Sequence, residues 1–312
     1  MTATDTMRTI KIGTRGSQLA LCQTEQVRSK IEQAFPDLSF EVITIQTKGD
    51  QILRGAIGAI GPGIFTREIE DALLEGQVDL AVHSAKDLAC ELPKGLVIGA
   101  VLAREDPQDC LVTRGGGTLK TIKQGAWIGT TSLWRRSQLK RLRSDLRFAQ
   151  LRGNIETRLR KIRDGECDGI VLAYAGLKRL GLTDVVTEVF EPEVFLPQAG
   201  QGAIAVEIRE NDATAKSLTE AINHQPTLTA ILAERSFLGG LQGGCQLPVG
   251  VFADLDHDRL RLRGAVFSID GDREVSDVLS GAPQEARQLG FVLAERVLKA
   301  GGREILDSIR SG

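Results

Sequence analysis

The feature that most constrains the fold of this chain is the alternation of short β-branched runs with helical segments through its first two-thirds. The run IKIGTR at 10–15 is typical of a strand, and Ser17 follows it as a candidate N-cap. From Leu19 to Phe35, apolar residues recur at helical spacing, and the pattern then repeats. Such alternation predicts doubly wound α/β domains with largely parallel sheets, in which ligands bind where strands end and helices begin.

The remaining elements follow from the same patterns. In the first part of the chain we expect strands at 40–47 and 78–84, a helix at 65–76, and further strands in DCLVTR, AWIGTTS, RFAQLRG and GIVLAYAG, with basic helices between them. After about residue 224, a helix-like segment leads into the glycine-rich GGLQGGC, and three runs separated by DHD and DGD turns predict an antiparallel meander. An amphipathic helix at 283–301 closes this smaller α+β domain.

Composition excludes several classes of protein. The net charge of −2 excludes a generally basic protein, so anion binding must come from local clusters of cations. The N-terminus has no apolar core of signal-peptide length, and no stretch approaches a membrane span, so we expect a cytoplasmic protein with no membrane partner. The five cysteines form no CxxC pair and the chain has three histidines, so we expect no metal site.

The most distinctive charge pattern is a concentration of cations. Residues 134–163 contain eleven Lys or Arg against two acids. One interpretation is a pair of solvated helix faces, and another is a site for a ligand with several carboxylates, which guanidinium groups bind in a bidentate manner. A nucleic-acid surface is the third, but the segment lacks interleaved aromatic residues and the whole chain has just 4% of them. A small polyanion fits better, and we expect no nucleic-acid partner.

Two predicted strand ends carry further candidates. In GTTSLWRRSQL (129–139), hydroxyl residues precede a helix, where backbone amides favour anions, although Thr and Ser also serve as simple caps. In HSAKDL (83–88), Lys86 and Asp87 follow a buried strand, which suits an anion anchor and an acid. An ordinary polar loop would have the same sequence character, so neither motif decides the function alone.

One cysteine stands apart from the others. Glycines before Cys245 and Pro248 after it describe an exposed, constrained loop, so Cys245 is a candidate nucleophile or attachment point. The remaining cysteines lie in apolar patterns typical of buried thiols; they are Cys22, Cys90, Cys110 and Cys167.

Six segments form one ordered set of motifs: GTRGSQLAL (13–21), HSAKDL, LRGNIETRL (151–159), AGLKRLG (175–181), LPQAGQGAIAVE (196–207) and GGCQLPVG (243–250). In order and spacing this set resembles the porphobilinogen deaminase family, also called hydroxymethylbilane synthases, over almost the whole chain. The resemblance implies two α/β domains similar to periplasmic binding proteins and a smaller α+β C-terminal domain. The expected boundaries are 7–103 with 203–220, then 108–196, then 225–312.

The resemblance also implies an activity. Members of the family are transferases of tetrapyrrole (heme) biosynthesis that condense four porphobilinogens head to tail, release an ammonia each time, and free hydroxymethylbilane by hydrolysis. It implies a dipyrromethane cofactor held by Cys245 through a thioether, porphobilinogen as the small-molecule substrate, and a monomer. Each pyrrole carries an acetate and a propionate. The resemblance therefore explains the concentration of arginines, because these can bind the carboxylates of the growing chain through charge-assisted hydrogen bonds.

The family match extends to individual residues. Asp87 matches the catalytic carboxylate, which protonates the departing amine and stabilises positive charge, with Lys86 beside it. Asp50 precedes a loop that covers the cleft in the family. Side chains that match those gripping cofactor and substrate carboxylates are Arg15, Ser17, Lys86, Arg135, Arg152, Arg158 and Arg179. Thr130 and Ser132 match donors at a helix N-terminus.

The chain departs from the family near these positions. Trp134 stands where the first of two arginines is usual, so either one arginine is lost or the pair has slid to Arg135 and Arg136. A slide of one residue rotates a helical side chain by about 100°. The loop at 54–65 lacks a usual lysine. We therefore expect weak or slow cofactor assembly that Trp134→Arg improves, unless Arg136 already supplies the donor.

Three functions remain open at this point. The first is a working deaminase with an altered grip on its cofactor, the second is a paralogue with lost or altered activity, and the third is a non-catalytic two-domain protein that binds another anion. The presence of Lys86, Asp87 and Cys245 favours the first. Cofactor occupancy separates the third from the others, and turnover separates the first from the second.

Overall fold

The structure, a computed structural model, describes residues 9–53, 63–241 and 247–310. The chain forms two compact units. Unit 1 consists of Met1–Arg104 with Ala203–Leu228, and unit 2 consists of Glu105–Gly202 with Thr229–Gly312. Each unit therefore takes its residues from two separate stretches of the chain.

Strands and helices follow one another along most of the described chain. The strands are β1 (Thr9–Thr14), β2 (Ser39–Thr44), β3 (Leu80–Ser84), β4 (Leu96–Val101), β5 (Asp109–Thr113), β6 (Trp127–Gly129), β7 (Arg147–Ala149), β8 (Gly169–Ala173), β9 (Glu188–Val189), β10 (Ile204–Arg209), β11 (Val249–Asp256), β12 (Arg259–Phe267) and β13 (Glu274–Gly281). The α-helices are α1 (Gln18–Ala34), α2 (Lys48–Leu53), α3 (Arg67–Leu74), α4 (Leu133–Leu142), α5 (Ile155–Arg163), α6 (Tyr174–Arg179), α7 (Ala213–Ile222), α8 (Gln225–Gly240), α9 (Ala286–Val297) and α10 (Arg303–Arg310). Short 3-10 turns lie at Ala85–Asp87, Thr183–Val185 and Pro283–Glu285.

The described strands of unit 1 form one sheet in the order β2-β1-β3-β10-β4. Strand β1 pairs parallel with β2 and β3, whereas β10 pairs antiparallel with β3 and β4. Four strands therefore share one direction, and β10, from the second stretch of the unit, runs the opposite way. As a result, the carboxyl ends of β1, β2 and β3 lie along the same edge of the sheet.

Unit 2 repeats this topology. Its described strands form a sheet in the order β7-β6-β8-β5-β9, with β6 parallel to β7 and β8, and β5 antiparallel to β8 and β9. The ends of β6, β7 and β8 thus correspond to those of β1, β2 and β3, although the two sequences show no evident repeat. The antiparallel strand lies fourth in both sheets.

Helices cover both faces of the unit 1 sheet, which confirms the predicted α/β fold class. On one face, Ile12 packs in a core cluster with Val27 and Ile31 of α1. On the other face, Ala81 packs with Ile69 and Leu73 of α3. The predicted cap is also confirmed, because the Ser17 hydroxyl accepts a hydrogen bond from the Ala20 N–H at 3.2 Å and α1 begins at the next residue.

The smaller part of unit 2 is the predicted antiparallel meander, in the order β11-β12-β13, with α9 packed against it. The helix predicted over 283–301 is shorter than expected. It ends at Val297, because Gly301 in the following π-helical turn has φ 112°. The next helix, α10, was not predicted from the sequence pattern.

Two further expectations concern burial and membrane contact. Cys110 and Cys167 are buried, and desolvation raises the pKa of the Cys110 thiol to about 12, so that thiol is inert. The expectation of burial is wrong for Cys22 and Cys90, which are only half-buried. Within the described ranges, no helix is long and apolar enough to cross a bilayer.

Candidate active site

The first group of predicted site residues lies at the ends of β1 and β2 in unit 1. Arg15, directly after β1, donates from Nε to Asp50 Oδ1 at 3.1 Å, and its guanidinium lies 4.4 Å from the centroid of the Phe65 ring. Strand β2 ends at Thr44, short of the predicted 47, because Thr47 instead donates from its backbone N–H and hydroxyl to Asp50. Arg15 is thus held on a carboxylate and an aromatic face.

These contacts determine the charge of Asp50. Burial by itself raises the pKa of this carboxyl. The hydrogen bond and charge of Arg15, with the hydrogen bonds from Thr47, outweigh burial and hold the Asp50 pKa below its ordinary value. Asp50 is therefore an anion that neutralises Arg15. The covering loop expected at 54–65 falls largely outside the described residues.

The predicted catalytic pair lies at the end of β3. The strand ends at Ser84 and continues into the 3-10 turn Ala85–Asp87, which the backbone bond from the Ala85 N–H to the Ala203 carbonyl fixes at 3.0 Å. The Asp87 carboxylate lies 4.0 Å from Arg15 Nη1 and its side chain is 29% exposed. Within the described part of the chain, Asp87 accepts no hydrogen bond, so its oxygens are open to a ligand. Lys86 is half-buried on the same turn.

Next to this turn lies a buried histidine–glutamate contact that the sequence did not reveal. His83 Nε2 on β3 lies 3.2 Å from Glu207 Oε2 on β10, and both side chains are almost fully inaccessible. Glu70 on α3 is also buried, and desolvation raises its pKa, with the charge of Glu207 adding to the effect. The available signal was a titratable residue within each of two largely apolar strands, LAVHS (β3) and IAVEIR (β10).

The second group of predicted residues lies at the corresponding edge of unit 2. Thr130 follows β6 directly and accepts from the Ser132 N–H at 3.2 Å, while the Ser132 hydroxyl accepts from the Arg135 N–H as the N-cap of α4. Both hydroxyl groups therefore organise the start of a ten-residue helix. The positive end of the helix dipole and the amides near it favour an anion at this point.

Arg135, on the first turn of α4, is buried and ion-paired. Its Nη2 donates to Asp109 Oδ1 at 2.7 Å, and Gln201 Nε2 donates to the same oxygen at 3.0 Å. Its guanidinium carbon lies 4.9 Å from the centroid of the Trp134 ring. Asp109 and Gln201 were not predicted from the sequence, although an acid that opens the apolar strand DCLVT was an available signal.

Two more predicted arginines flank the turn after β7. Arg152 is half-buried and has no hydrogen-bond or ion-pair partner among the described residues. Arg158 on α5 donates from Nε to the Gly153 carbonyl at 2.8 Å. Gly153, in the turn between β7 and α5, has φ 124°, and a Cβ there would lie 2.6 Å from the Thr157 side chain. Both the backbone conformation and the lack of space therefore favour glycine at this position. This edge thus offers at least one cation that no carboxylate of the described chain neutralises.

The last predicted arginine closes α6. Arg179 Nη2 donates to the Gly202 carbonyl at 2.8 Å, and the neighbouring Lys178 forms an ion pair with Glu105 at 2.5 Å. Gly202 has φ 87°, and a Cβ there would collide with the Glu105 carbonyl oxygen. The basic end of α6 therefore fixes two neighbouring stretches of unit 2.

The cation-rich segment contains both exposed and buried cations. Arg141 on α4 and Arg160 and Arg163 on α5 are exposed, as expected for solvated helix faces, and so is Arg147 at the start of β7. The predicted ligand-binding cations are buried or half-buried. Cys245 lies outside the described residues, so the structure says nothing of its surroundings. Among the residues described, no group of His, Cys, Asp or Glu is arranged to hold a metal ion.

The predicted residues therefore fall into two groups, one in each unit, and all but Arg179, at the end of α6, lie near the turns that follow strands. In unit 1 they are Arg15, Ser17, Lys86 and Asp87. In unit 2 they are Thr130, Ser132, Arg135, Arg152, Arg158 and Arg179. The first group can hold and move a proton at an open carboxylate, and the second can bind several carboxylates of a small polyanion.

Comparisons with known proteins find similar sequences over nearly the whole chain. Residues 10–217 match the family model "Porphobilinogen deaminase, dipyromethane cofactor binding domain", and residues 228–299 match "Porphobilinogen deaminase, C-terminal domain". The porphobilinogen deaminase of Syntrophomonas wolfei is 48% identical over 305 residues, covering 97% of this chain and 100% of that protein. That of Gloeobacter violaceus is 46% identical over 308 residues, covering 97% and 94%.

Among solved structures, the methionine binding protein MetQ is similar with a TM-score of 0.42 and 12% identity, covering 69% of this chain and 89% of that one. This likeness is too distant to add to the fold described above. The family models and the relatives, by contrast, span nearly the whole chain. The chain belongs to the porphobilinogen deaminase family.

Proposed function

We propose that this chain condenses four molecules of porphobilinogen head to tail into hydroxymethylbilane, with release of ammonia, as a transferase of tetrapyrrole biosynthesis. The observation that carries the proposal is the position of Asp87. Its carboxylate lies on a turn at the end of a buried strand, 4.0 Å from the Arg15 guanidinium, with no hydrogen bond from the described residues. A carboxylate in that setting can bind a substrate amine.

The role proposed for Asp87 follows from its charge and its access. As the amine of porphobilinogen leaves, a proton must reach the nitrogen and positive charge develops on the remaining carbon. The Asp87 carboxyl can deliver the proton and then, as an anion, stabilise the positive charge. Lys86, on the same turn, is proposed to anchor a substrate carboxylate rather than to transfer the proton.

Arg15 and Ser17 are proposed to bind ligand carboxylates at the same edge. Asp50 already neutralises part of the Arg15 charge, and its bond from Nε fixes the plane of the guanidinium. The Ser17 oxygen accepts from the Ala20 N–H, so its O–H remains the donor available to a ligand. Arg15 therefore presents a fixed orientation to substrate and links Asp50 to Asp87.

The family implies a dipyrromethane cofactor bound to Cys245, and this group supplies the pyrrole end to which each new unit is joined. The residues proposed to hold its carboxylates are Thr130, Ser132, Arg135, Arg152, Arg158 and Arg179. The chemistry of these donors fits the group. Arg152 has no partner among the described residues, and the buried Nε of Arg135 has no acceptor there. Carboxylate oxygens would satisfy such donors.

A non-catalytic anion-binding protein would need the cation-rich edge of unit 2 alone. It would have no use for an open carboxylate at the edge of unit 1, and the position of Asp87 therefore supports catalysis. We further propose a cytoplasmic monomer that uses no nucleic-acid partner and divides at 7–103 with 203–220, 108–196 and 225–312. Light scattering tests the oligomeric state, and limited proteolysis tests the boundaries.

The experiment that tests the proposed function is stoichiometric. The purified chain is incubated with porphobilinogen, and ammonia and hydroxymethylbilane are measured together. The proposal predicts four ammonia molecules for each bilane, and Cys245→Ser should form neither. Binding of porphobilinogen without release of ammonia would favour the non-catalytic alternative, and ammonia without bilane would favour a paralogue with altered activity.

A further inference from the structure

The start of α4 holds an aromatic residue in an unusual position. Trp134 is 8% exposed, and its indole N–H is buried without an acceptor in the described chain. Neighbouring residues on a helix normally point in different directions, yet the guanidinium of Arg135 lies 4.9 Å from the centroid of the Trp134 ring. Arg135 therefore folds back over the residue that precedes it.

We infer that Trp134 is a positioning residue for Arg135, which it holds against Asp109 so that the cation-rich edge of unit 2 is in place before the cofactor is assembled. The inference rests on the proposed function, because it assigns Arg135 to cofactor binding. It does not make Trp134 a ligand of the cofactor.

The contacts of Arg135 with Asp109 leave the guanidinium plane free to tilt, and the Trp134 indole can restrain this motion. The guanidinium is 6% exposed, and its Nη2 is held at 2.7 Å by Asp109 Oδ1, which is fully buried. This ion pair fixes the Nη2 atom but not the orientation of the guanidinium plane. The indole face restrains that tilt, because a cation over an aromatic ring is attracted by the electron-rich face.

Other side chains at position 134 would stabilise the Arg135 guanidinium less well than tryptophan. A buried guanidinium with a single ion pair needs a further favourable contact, since water cannot reach it. An aliphatic residue at position 134 would fill the volume but give no electrostatic attraction. An arginine there would place a second cation beside Arg135 with no additional acid in contact, so the two would repel.

The Arg135–Asp109 pair is also anchored beyond α4. Asp109, the first residue of β5, also accepts from Gln201 Nε2 at 3.0 Å, and Gln201 donates to the Pro107 carbonyl at 2.8 Å. The Trp134 ring thus completes a chain of contacts from α4 through β5 to the buried stretch before β10. Preorganised donors bind a carboxylate more tightly because less order is lost on binding.

The test compares variants that differ in the ring and in the N–H. Trp134→Phe keeps an aromatic face without the N–H, and Trp134→Leu keeps the bulk without the face. The matched control is Trp127→Leu, which removes an exposed Arg–Trp contact of the same unit, in which Arg147 lies 5.8 Å from the ring centroid. Intact mass after incubation with porphobilinogen measures the fraction of chains that carry the adduct.

We expect Trp134→Phe and Trp127→Leu to match the wild type, and Trp134→Leu to carry the adduct on severalfold fewer chains. Trp134→Arg should also lower the fraction, which reverses the gain expected from the family pattern alone. Equal loss in Trp134→Phe and Trp134→Leu would overturn the inference, because the N–H would then be the functional group. No loss in Trp134→Leu would overturn it as well.

A second measurement does not depend on the cofactor. In a double-mutant cycle of Trp134→Leu and Arg135→Met, followed by urea unfolding, the inference predicts a coupling of about fivefold in the unfolding equilibrium, which corresponds to a cation–π contact of about 1 kcal/mol. Additive effects would overturn it. A wild type without adduct but with this coupling would instead contradict the proposed function and leave the positioning role supported.

Discussion

The two five-stranded sheets of this chain share one topology but carry opposite chemistry at their corresponding edges. At the edge of unit 1, Arg15 lies between two acids, Asp50 and Asp87. At the edge of unit 2, Arg152 lies on the turn after β7 with no acid of the described chain in contact, and Arg158 donates to a backbone carbonyl of that turn. The two sheets thus share a topology but differ in side-chain charge at their strand ends, and we propose that this difference separates proton transfer at one edge from anion binding at the other.

The two units also contain different buried pairs of polar side chains close to these edges. In unit 1 the pair is His83 with Glu207, on neighbouring strands of the sheet. In unit 2 the pair is Arg135 with Asp109, and Gln201 adds a third contact. The first pair lies close to the start of the proposed catalytic turn, whereas the second includes a proposed binding residue itself. Changes to these pairs should therefore have different consequences for function.

The largest effect is expected for the open carboxylate of unit 1. Asp87→Asn keeps the shape of the side chain but cannot deliver a proton or carry a negative charge, so kcat should fall by about 1,000-fold. Bilane formation measures this loss, and circular dichroism checks that the fold is retained. Glu91→Gln, a change of an exposed acid on the same stretch, should leave kcat unchanged. Near-normal turnover in Asp87→Asn would assign the proton transfer to another group.

The next largest effect is expected when the acid of either buried pair is replaced. Asp109→Asn leaves the buried Arg135 without its counter-ion, which typically destabilises a protein by about 3 kcal/mol. Glu207→Gln removes the buried carboxylate beside His83, and we expect a smaller loss of stability. Urea unfolding measures the loss, and amide hydrogen exchange should place it in unit 1 for Glu207→Gln and in unit 2 for Asp109→Asn. If both variants lost protection in the same unit, the two edges would not be supported independently.

A smaller effect is expected for Arg152, the cation without a partner among the described residues at the edge of unit 2. Arg152→Ala should lower cofactor occupancy or raise KM by about 10- to 100-fold, the range of one charge-assisted hydrogen bond. Arg152→Lys should recover part of the loss, because it keeps the charge without the bidentate geometry. Arg160→Ala, at an exposed position on α5, is the matched control and should change neither quantity. An Arg152→Ala variant with unchanged occupancy and KM would remove Arg152 from the binding edge.

The smallest effect concerns pH. The pKa of folded Asp50 lies below its ordinary value of 3.8, so its bonds contribute stability above that pH, and the contribution disappears as the pH falls through the depressed pKa. Asp50→Asn should cost about 1 kcal/mol at neutral pH, and the difference from the wild type should shrink in acid. The exposed Asp37→Asn should show no such convergence. A constant difference between about pH 7 and about pH 3 would contradict this assignment.

The sequence was sufficient to predict most helices and strands and the positions of the strand ends, because both depend on local patterns. Strand–helix alternation predicted β1 with α1, and capping chemistry predicted the place of Ser17 and was one of two interpretations of Ser132. The sequence pattern could not predict which residues pair between strands that are distant in the sequence. Asp109 meets Arg135 from 26 residues away, and Glu207 meets His83 only because β10 inserts beside β3. The stacking of Arg135 on Trp134 likewise depends on a side-chain rotamer that no periodicity encodes.

We propose that Cys245 holds the cofactor covalently, that cations of unit 2 bind its carboxylates, and that Asp87 of unit 1 is the acid of the reaction. The most direct measurement is the intact mass of the purified wild-type chain beside Cys245→Ser. We expect the wild-type mass to exceed the sequence mass by two linked pyrrole units and Cys245→Ser to lack the excess. A wild-type mass equal to that of the bare chain, even after incubation with porphobilinogen, would contradict this proposal.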